Sequence, residues 1–140
     1  MIDKESIIEH LRELEEATSD WERYKKISLD ELHSDRDKKN MVLHALLVSI
    51  QSALDIGNHI IAEHSLKRPS TYRETFEILS EEGLIPKKLG NDLADLAGFR
   101  NVITHIYWRM DLDEVYAVLQ KDLIIIKSFG EIVKRMLKNE

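Results

Sequence analysis

The sequence contains 140 residues, of which 43% are hydrophobic and 33% charged, and it carries a formal net charge of −6. These values exclude a disordered chain and predict one globular domain, residues 1–140, with its own hydrophobic core. Because the chain contains no cysteine, disulfides, thiolate nucleophiles and cysteine metal sites are excluded, and a reducing compartment is favoured.

The negative net charge limits how the chain could bind nucleic acid. A protein that holds nucleic acid through its general surface field is usually basic. This chain would need a local cationic site, or a brief encounter of the kind an enzyme makes. The charge is equally compatible with a basic protein partner.

The N-terminus argues against export. Residues 1–5 carry two acids, Asp3 and Glu5, where a signal peptide would need a cationic start and an apolar run. No apolar stretch approaches the roughly 20 residues that a membrane helix requires. We therefore expect a cytoplasmic protein without a membrane partner.

The first half of the chain predicts two helices. Apolar residues spaced by three and four extend from about Lys4 to Tyr24. After a polar stretch over residues 28–37, a longer helix is predicted from about Asp35 to His64. Its expected core stripe consists of Leu43, Leu46, Leu47, Ile50, Leu54, Gly57 and Ile61.

A short third helix is predicted after the break at Pro69. Thr71 and Glu74 have the spacing of a capping box, and Gly83 stands where a C-terminal glycine would end the helix. The expected apolar face consists of Tyr72, Phe76 and Leu79.

Two more helices complete the expected fold. Pro86 suits the first turn of a fourth helix that runs towards Tyr107, and Asp111 with Glu114 predicts the start of a long last helix. Short loops between helices indicate antiparallel neighbours. The sequence therefore predicts an all-α antiparallel bundle of about five helices.

Common catalytic motifs are missing from the sequence. It has no glycine-rich phosphate loop, no Gly-x-Ser-x-Gly elbow and no His-Glu-x-x-His. His59 and His64 are five residues apart, so on a straight helix they point about 140° apart and make a poor metal pair. We expect no metal and no cofactor, and we interpret His33, His44, His59 and His64 as solvated or packed.

Residues 98–107 concentrate side chains that can stabilise or transfer charge. Arg100, Thr104 and Tyr107 share one helical face, while Asn101 and His105 share the adjacent one. On a straight helix Arg100 and His105 point about 140° apart. They could meet at one phosphate only if the helix frays near Thr104, or if a second subunit completes the site around a two-fold axis.

Such a cleft could cleave RNA without a metal. Imidazole can remove the proton of a ribose 2′-hydroxyl and protonate the leaving oxygen near pH 7, and a guanidinium can hold the charge that builds on the phosphate. The alternative is that Arg100 pairs with an acid such as Asp95 while His105 packs. Spacing alone leaves both interpretations open.

At these residues the sequence resembles the HepT-like family of HEPN toxins. Arg100-Asn101, three further residues, His105, one residue and Tyr107 are similar to the family motif. Residues 51–61 resemble the family's second helix, and residues 69–86 resemble its middle hairpin. The resemblance covers nearly the whole chain from residue 39 to residue 119.

The resemblance implies a fold, an activity and partners. It implies a homodimeric, metal-independent RNase toxin whose active site lies at the dimer interface, acting on RNA such as tRNA or mRNA. A nucleotidyltransferase antitoxin of the MNT kind would silence it by adding AMP to Tyr107. By the same resemblance Arg100 and His105 are catalytic and Asn101 is supporting, and we count Thr104, on the Arg100 face, as supporting too.

The sequence departs from the family pattern at one position. The family usually has glycine between the histidine and the tyrosine, and this chain has Ile106. Isoleucine disfavours positive φ, so we expect the helix to continue through Tyr107. The alternative functions are therefore a non-catalytic binding partner and modification target, or a nucleotide-binding helper.

The predicted second helix carries a polar line on an otherwise apolar element. Gln51, Asp55, Asn58 and His59 lie at positions i, i+4, i+7 and i+8. Either Asp55 or Asn58 faces the Arg100 cleft and orients its side chains, or the line is a solvated face. The sequence does not choose between the two.

Overall fold

The computed structural model describes residues 4–105 and 110–139, with the backbone alone for His105. This part of the chain forms seven α-helices and no strand. In order they are α1 (Lys4–Tyr24), α2 (Leu29–Ser34), α3 (Arg36–Glu63), α4 (Tyr72–Glu81), α5 (Lys87–His105), α6 (Leu112–Lys121) and α7 (Leu123–Lys138). The predicted all-α bundle is confirmed.

The described part of the chain has two helices more than the five predicted. One is α2, and the other results from a break in the predicted last helix. The polar stretch contains α2, a single short helix closed by a capping box. The Ser28 hydroxyl accepts from the Glu31 amide at 3.1 Å, and the Glu31 carboxylate accepts from the Ser28 amide at 3.1 Å. This reciprocal cap stabilises a helix too short to show a hydrophobic period.

The predicted last helix is divided at Asp122 into α6 and α7. Leu119, Leu123 and Ile126 are all buried on the two sides of the break. Their spacing of four and three continues across Asp122, so the apolar pattern reads as one helix although the backbone is interrupted.

The central element is α3, which contacts each of the other six described helices. By length and composition alone α3 could cross a membrane, contrary to the expectation from the sequence, but 61% of its apolar window is buried inside the protein. Its apolar character is explained by its place in the core of the bundle. In its predicted core stripe Leu46, Ile50 and Leu54 are fully buried, whereas Leu47 is only half-buried.

A close approach of α4 to α3 forms one side of the site described below. A Cβ at Gly57 would lie 2.8 Å from the Thr75 Cγ2 atom, so only glycine permits this distance between the two helices. The predicted end of α4 is confirmed: Gly83 has a φ of 75°, and the Leu84 amide donates to the Leu79 carbonyl at 2.9 Å.

Candidate active site

Arg100 is held from two sides at the meeting point of three helices. From α5, its Nε donates to the Oε1 atom of Gln51 on α3 at 2.6 Å. Its guanidinium carbon lies 4.6 Å from the centroid of the Tyr72 ring at the start of α4. A neutral acceptor and an aromatic face fix the cation without neutralising it, so its positive charge stays available to an anion.

The orientation of the Gln51 amide is set from its far side. Its Nε2 donates to Asp55 Oδ1 at 2.9 Å, one turn further along α3. An ionised carboxylate only accepts hydrogen bonds, so Asp55 selects the NH2 end of the amide and turns the carbonyl oxygen towards Arg100. Asp55 is thus in contact with the residue that positions Arg100.

The polar row continues from Asp55 to α1. His10 Nδ1 lies 3.8 Å from Asp55 Oδ2, and the rings of His10 and His59 are 5.4 Å apart at their centroids. The row therefore runs from α5 across α3 to α1. Within the α3 polar line Gln51 contacts Arg100 directly and Asp55 contacts Gln51, while Asn58 is exposed. The supporting roles of Asp55 and Asn58 stay predictions.

A second arm of the site lies on the other side of Tyr72. The Thr75 hydroxyl donates to Asn58 Oδ1 at 3.0 Å, which ties α4 to α3 one turn beyond Asp55. Asn101 on α5 borders the same space, and its Oδ1 atom is buried without a hydrogen-bond partner in the described structure. Together with the loop before α4 they line a cavity of about 560 Å3 that is open to solvent.

The described hydrogen bonds of the Thr104 side chain stay within its own helix, and its predicted supporting role stays a prediction. Its hydroxyl donates to the backbone carbonyls of Arg100 and Asn101 at 3.2 and 3.3 Å, and the residue is exposed. These bonds stay within α5, which remains helical through this point to His105. Fraying near Thr104, one of the two ways to bring Arg100 and His105 together, is therefore not seen.

Several predicted features fall outside the described residues. The side chain of His105 and the whole of Ile106 and Tyr107 belong to this group. The predicted roles of His105 and Tyr107, and the continuation of the helix through Ile106, consequently stay predictions.

The structure contradicts two expectations about this region. Asp95 pairs with Arg73, whose Nη2 lies 3.1 Å from Asp95 Oδ1, so the alternative in which Asp95 holds Arg100 is wrong. Tyr72 was expected on the apolar face of α4 but is 39% exposed. As the first residue of that helix it lies beyond the edge of the core, although its spacing to Phe76 fits the apolar stripe.

Two residues of the site were not recognised from the sequence. His10 belongs to α1 and is 45 positions from Asp55 in the chain, and no local pattern links them. Tyr72 could have been singled out by its place directly after the capping Thr71, where an aromatic ring projects from the helix end.

Among the described residues no group of three or more His, Asp and Glu side chains has the geometry to hold a metal ion.

Comparison with known proteins identifies the relatives of this chain. It is 32% identical to the mRNA nuclease HepT of Shewanella oneidensis over 84 residues, which cover 60% of this chain and 63% of that protein. It is 26% identical to the tRNA nuclease HepT of Aphanizomenon flos-aquae over 97 residues, which cover 69% of this chain and 66% of that protein. The first match thus spans less than two thirds of the relative's length.

A solved structure shares the fold over almost the whole chain. It is the tri-AMPylated HEPN toxin of Shewanella oneidensis in complex with MNT antitoxin, with a TM-score of 0.85 and 25% identity. The superposition covers 96% of this chain and 99% of that toxin. The family described as ribonuclease HepT-like matches residues 7–135. The chain therefore belongs to the HepT-like ribonuclease family.

Proposed function

We propose that the protein is the toxin of a toxin–antitoxin pair and a metal-independent endoribonuclease. The observation that carries the proposal is the setting of Arg100, whose described hydrogen bond uses Nε and a neutral acceptor. The planar Nη groups remain available to the two oxygens of a phosphate, which a guanidinium binds as a fork. The relatives named for mRNA and tRNA cleavage make RNA the natural source of that phosphate.

The reaction follows from the two catalytic residues that we propose. His105 takes the proton from a ribose 2′-hydroxyl, and the 2′-oxygen attacks the adjacent phosphorus. The bond to the 5′-oxygen of the next nucleotide breaks, and that oxygen receives a proton from imidazolium, leaving a 2′,3′-cyclic phosphate. Arg100 stabilises the extra negative charge on the phosphate oxygens in the transition state.

A homodimer would complete this site. Because α5 is helical through Thr104, residues 100 and 105 of one copy point about 140° apart on an ideal helix. A two-fold axis beside α3 would bring Arg100 of one copy towards His105 of the other. Helix α3 offers a surface for this contact, because one of its faces is only partly buried in the protomer and runs next to Arg100. This face consists of Met41, His44, Val48, Gln51, Asp55 and Asn58.

The proposed regulator is a nucleotidyltransferase antitoxin of the MNT kind that adds AMP to Tyr107. The similar Shewanella oneidensis toxin is tri-AMPylated in its complex with MNT antitoxin. An AMP group two residues from His105 would place a phosphodiester charge next to the anion site and compete with RNA. Both proteins of such a pair would meet in the cytoplasm, where RNA is the abundant target.

The proposal is tested by incubating the unmodified protein with tRNA and a mixed RNA pool in excess EDTA. We expect discrete cleavage that Arg100→Ala and His105→Ala each abolish. Arg23→Ala is the matched control, because Arg23 is an exposed arginine that pairs with Asp20 on α1. Absence of cleavage by the folded, antitoxin-free protein would refute the proposal.

A second candidate function is a non-catalytic partner and modification target, or a helper that binds nucleotides without cutting RNA. Ile106 in the family's glycine position and the net charge of −6 favour it. It predicts a stable complex with the nucleotidyltransferase that Arg100→Ala leaves intact, together with no RNA cleavage. A gain in mass on Tyr107 fits both functions, so the cleavage assay decides between them.

A further inference from the structure

The cavity beside Arg100 differs in chemistry from the phosphate site. Its volume of about 560 Å3 falls within the range of about 300–1,000 Å3 that is typical of small-molecule sites. Among the residues that the structure describes, its lining consists of uncharged side chains: Asn58, Pro69, Ser70, Thr71, Tyr72, Thr75 and Asn101. A phosphate would need cations here, so the lining favours a neutral polar group.

The polar atoms of the lining include an acceptor without a partner. Asn101 borders the cavity, and its Oδ1 atom is buried without a hydrogen bond in the described structure, which is a costly state. A rotation of the amide towards the cavity would let this oxygen accept from a ligand N–H. Asn58 uses its Oδ1 to accept from Thr75, which turns its NH2 group towards other acceptors. Two side-chain amides with a free acceptor and a free donor can read the edge of a flat heterocycle.

Tyr72 supplies the aromatic surface that such a heterocycle needs. The ring borders the cavity and is 39% exposed, so part of its surface remains open to a ligand. The same ring holds the Arg100 guanidinium at 4.6 Å from its centroid. Single-stranded RNA is commonly read by stacking its bases on exposed aromatic side chains, with hydrogen bonds to the base edges.

We propose that this cavity is a nucleobase subsite, in which a base stacks on Tyr72 while Arg100 holds the adjoining phosphate. The inference rests on the proposed function and deepens it, because it assigns the part of the RNA that is read next to the scissile site. Asn101 Oδ1 accepts from an N–H of the base, and the Asn58 NH2 group donates to one of its acceptors. Tyr72 contacts substrate in this arrangement and couples the base to the phosphate through Arg100.

The test compares ligands that share a phosphate and differ in the base. Binding of each of the four ribonucleoside 5′-monophosphates, and of ribose 5-phosphate, is measured on the full chain by titration of its 15N-labelled side-chain amides. We expect at least one nucleotide to bind about tenfold or more tighter than ribose 5-phosphate, the size that a stacked base typically contributes. The side-chain amide signals of Asn58 and Asn101 should shift with the nucleotide and not with the sugar phosphate.

Variants separate the base from the phosphate. Tyr72→Leu should remove the advantage of the nucleotide over ribose 5-phosphate, whereas Tyr72→Phe should keep it. Arg100→Ala should weaken both ligands and leave their ratio intact. Tyr24→Leu is the matched control, since Tyr24 also stacks with an arginine, Arg23, at 5.4 Å but on α1.

Two results would overturn the inference: equal affinity for all nucleotides and ribose 5-phosphate, or an unchanged ratio in Tyr72→Leu. Failure of the proposed function would look different. A protein that does not cleave RNA in EDTA but binds nucleotides through Tyr72 would refute the RNase and support the subsite.

Discussion

Replacing Gln51 by leucine should impair RNA cleavage although Gln51 touches no substrate in the proposed mechanism. Leucine keeps much of the side-chain volume but offers no acceptor to the Arg100 Nε, which now lies 2.6 Å from Gln51 Oε1. The guanidinium would keep its contact with Tyr72 and lose the bond that fixes its rotation. Arg100 would then spend less time with its Nη groups directed at the phosphate.

The size of the effect follows from the strength of that hydrogen bond. A bond to a charged group contributes about 1.5–3 kcal/mol, and the half-buried setting of both side chains lets water replace part of it. Taking the lower end, we expect kcat/KM to fall about tenfold, mostly through kcat, since the loss is felt in the transition state. The free energy of unfolding should change by less than about 1 kcal/mol, as is usual away from the core.

The assay is single-turnover cleavage of a labelled RNA in EDTA, with stability followed by urea unfolding. Gln120→Leu is a matched control, because the other glutamine of the chain is also half-buried and bonds a backbone carbonyl, that of Lys25, at 2.7 Å. A kcat/KM within twofold of the wild type for Gln51→Leu, or an equal loss in Gln120→Leu, would refute the positioning role.

Three further predictions concern packing, pH and modification. Gly57→Ala should destabilise the fold by about 1–3 kcal/mol in urea unfolding, because the new Cβ would lie 2.8 Å from a side-chain carbon of α4. Gly98→Ala, whose Cβ would meet only a guanidinium nitrogen at 3.4 Å, should instead stabilise by about 0.5 kcal/mol, and the reverse order would contradict the packing argument. Hydrogen bonds from Lys38 and the α2 cap lower the pKa of Glu31 from 4.5 to about 2, so its stabilising effect is present above pH 4.5 and lost as pH falls from there towards 2. The melting temperature of Glu31→Gln should accordingly fall less than that of the wild type between pH 5 and pH 2.5, and parallel curves would remove Glu31 from the acid response. Tyr107→Phe should gain no AMP mass after incubation with the nucleotidyltransferase and ATP, whereas an undiminished gain would place the modification on another residue.

The helices could be predicted because each long one carries its own apolar period. Leu54 on α3 and Phe76 on α4 both fall on predicted apolar faces and are buried. The helix α2 and the break at Asp122 were not predicted, and each has a local cause. The six residues of α2 are held by a cap and not by a stripe, and the break at Asp122 preserves the phase of the apolar pattern.

The site was only partly predictable for a different reason. A helical period shows which side chains share a face, and it placed Gln51, Asp55 and Asn58 on one line. It does not show which helix lies opposite, so the contact between Gln51 and Arg100, 49 positions apart, appears only after α3 and α5 pack. His10 was missed for the same reason, since α1 joins the row through packing alone.

The neutral side-chain amide of Gln51 also keeps the negative charge of Asp55 away from the positive charge of Arg100. A carboxylate bonded directly to the guanidinium, about 4 Å away, would attract it by about 4 kcal/mol at the effective dielectric constant of a protein surface. An RNA phosphate would have to compete with that attraction. With Gln51 interposed, the carboxylate and the guanidinium lie further apart, and their attraction falls in inverse proportion to the distance. Asp55 therefore orients the Arg100 guanidinium through the neutral Gln51 amide. Most of the positive charge of Arg100 then stays available to an arriving anion. A Gln51→Glu exchange would collapse this separation, although it changes only one side-chain nitrogen to oxygen.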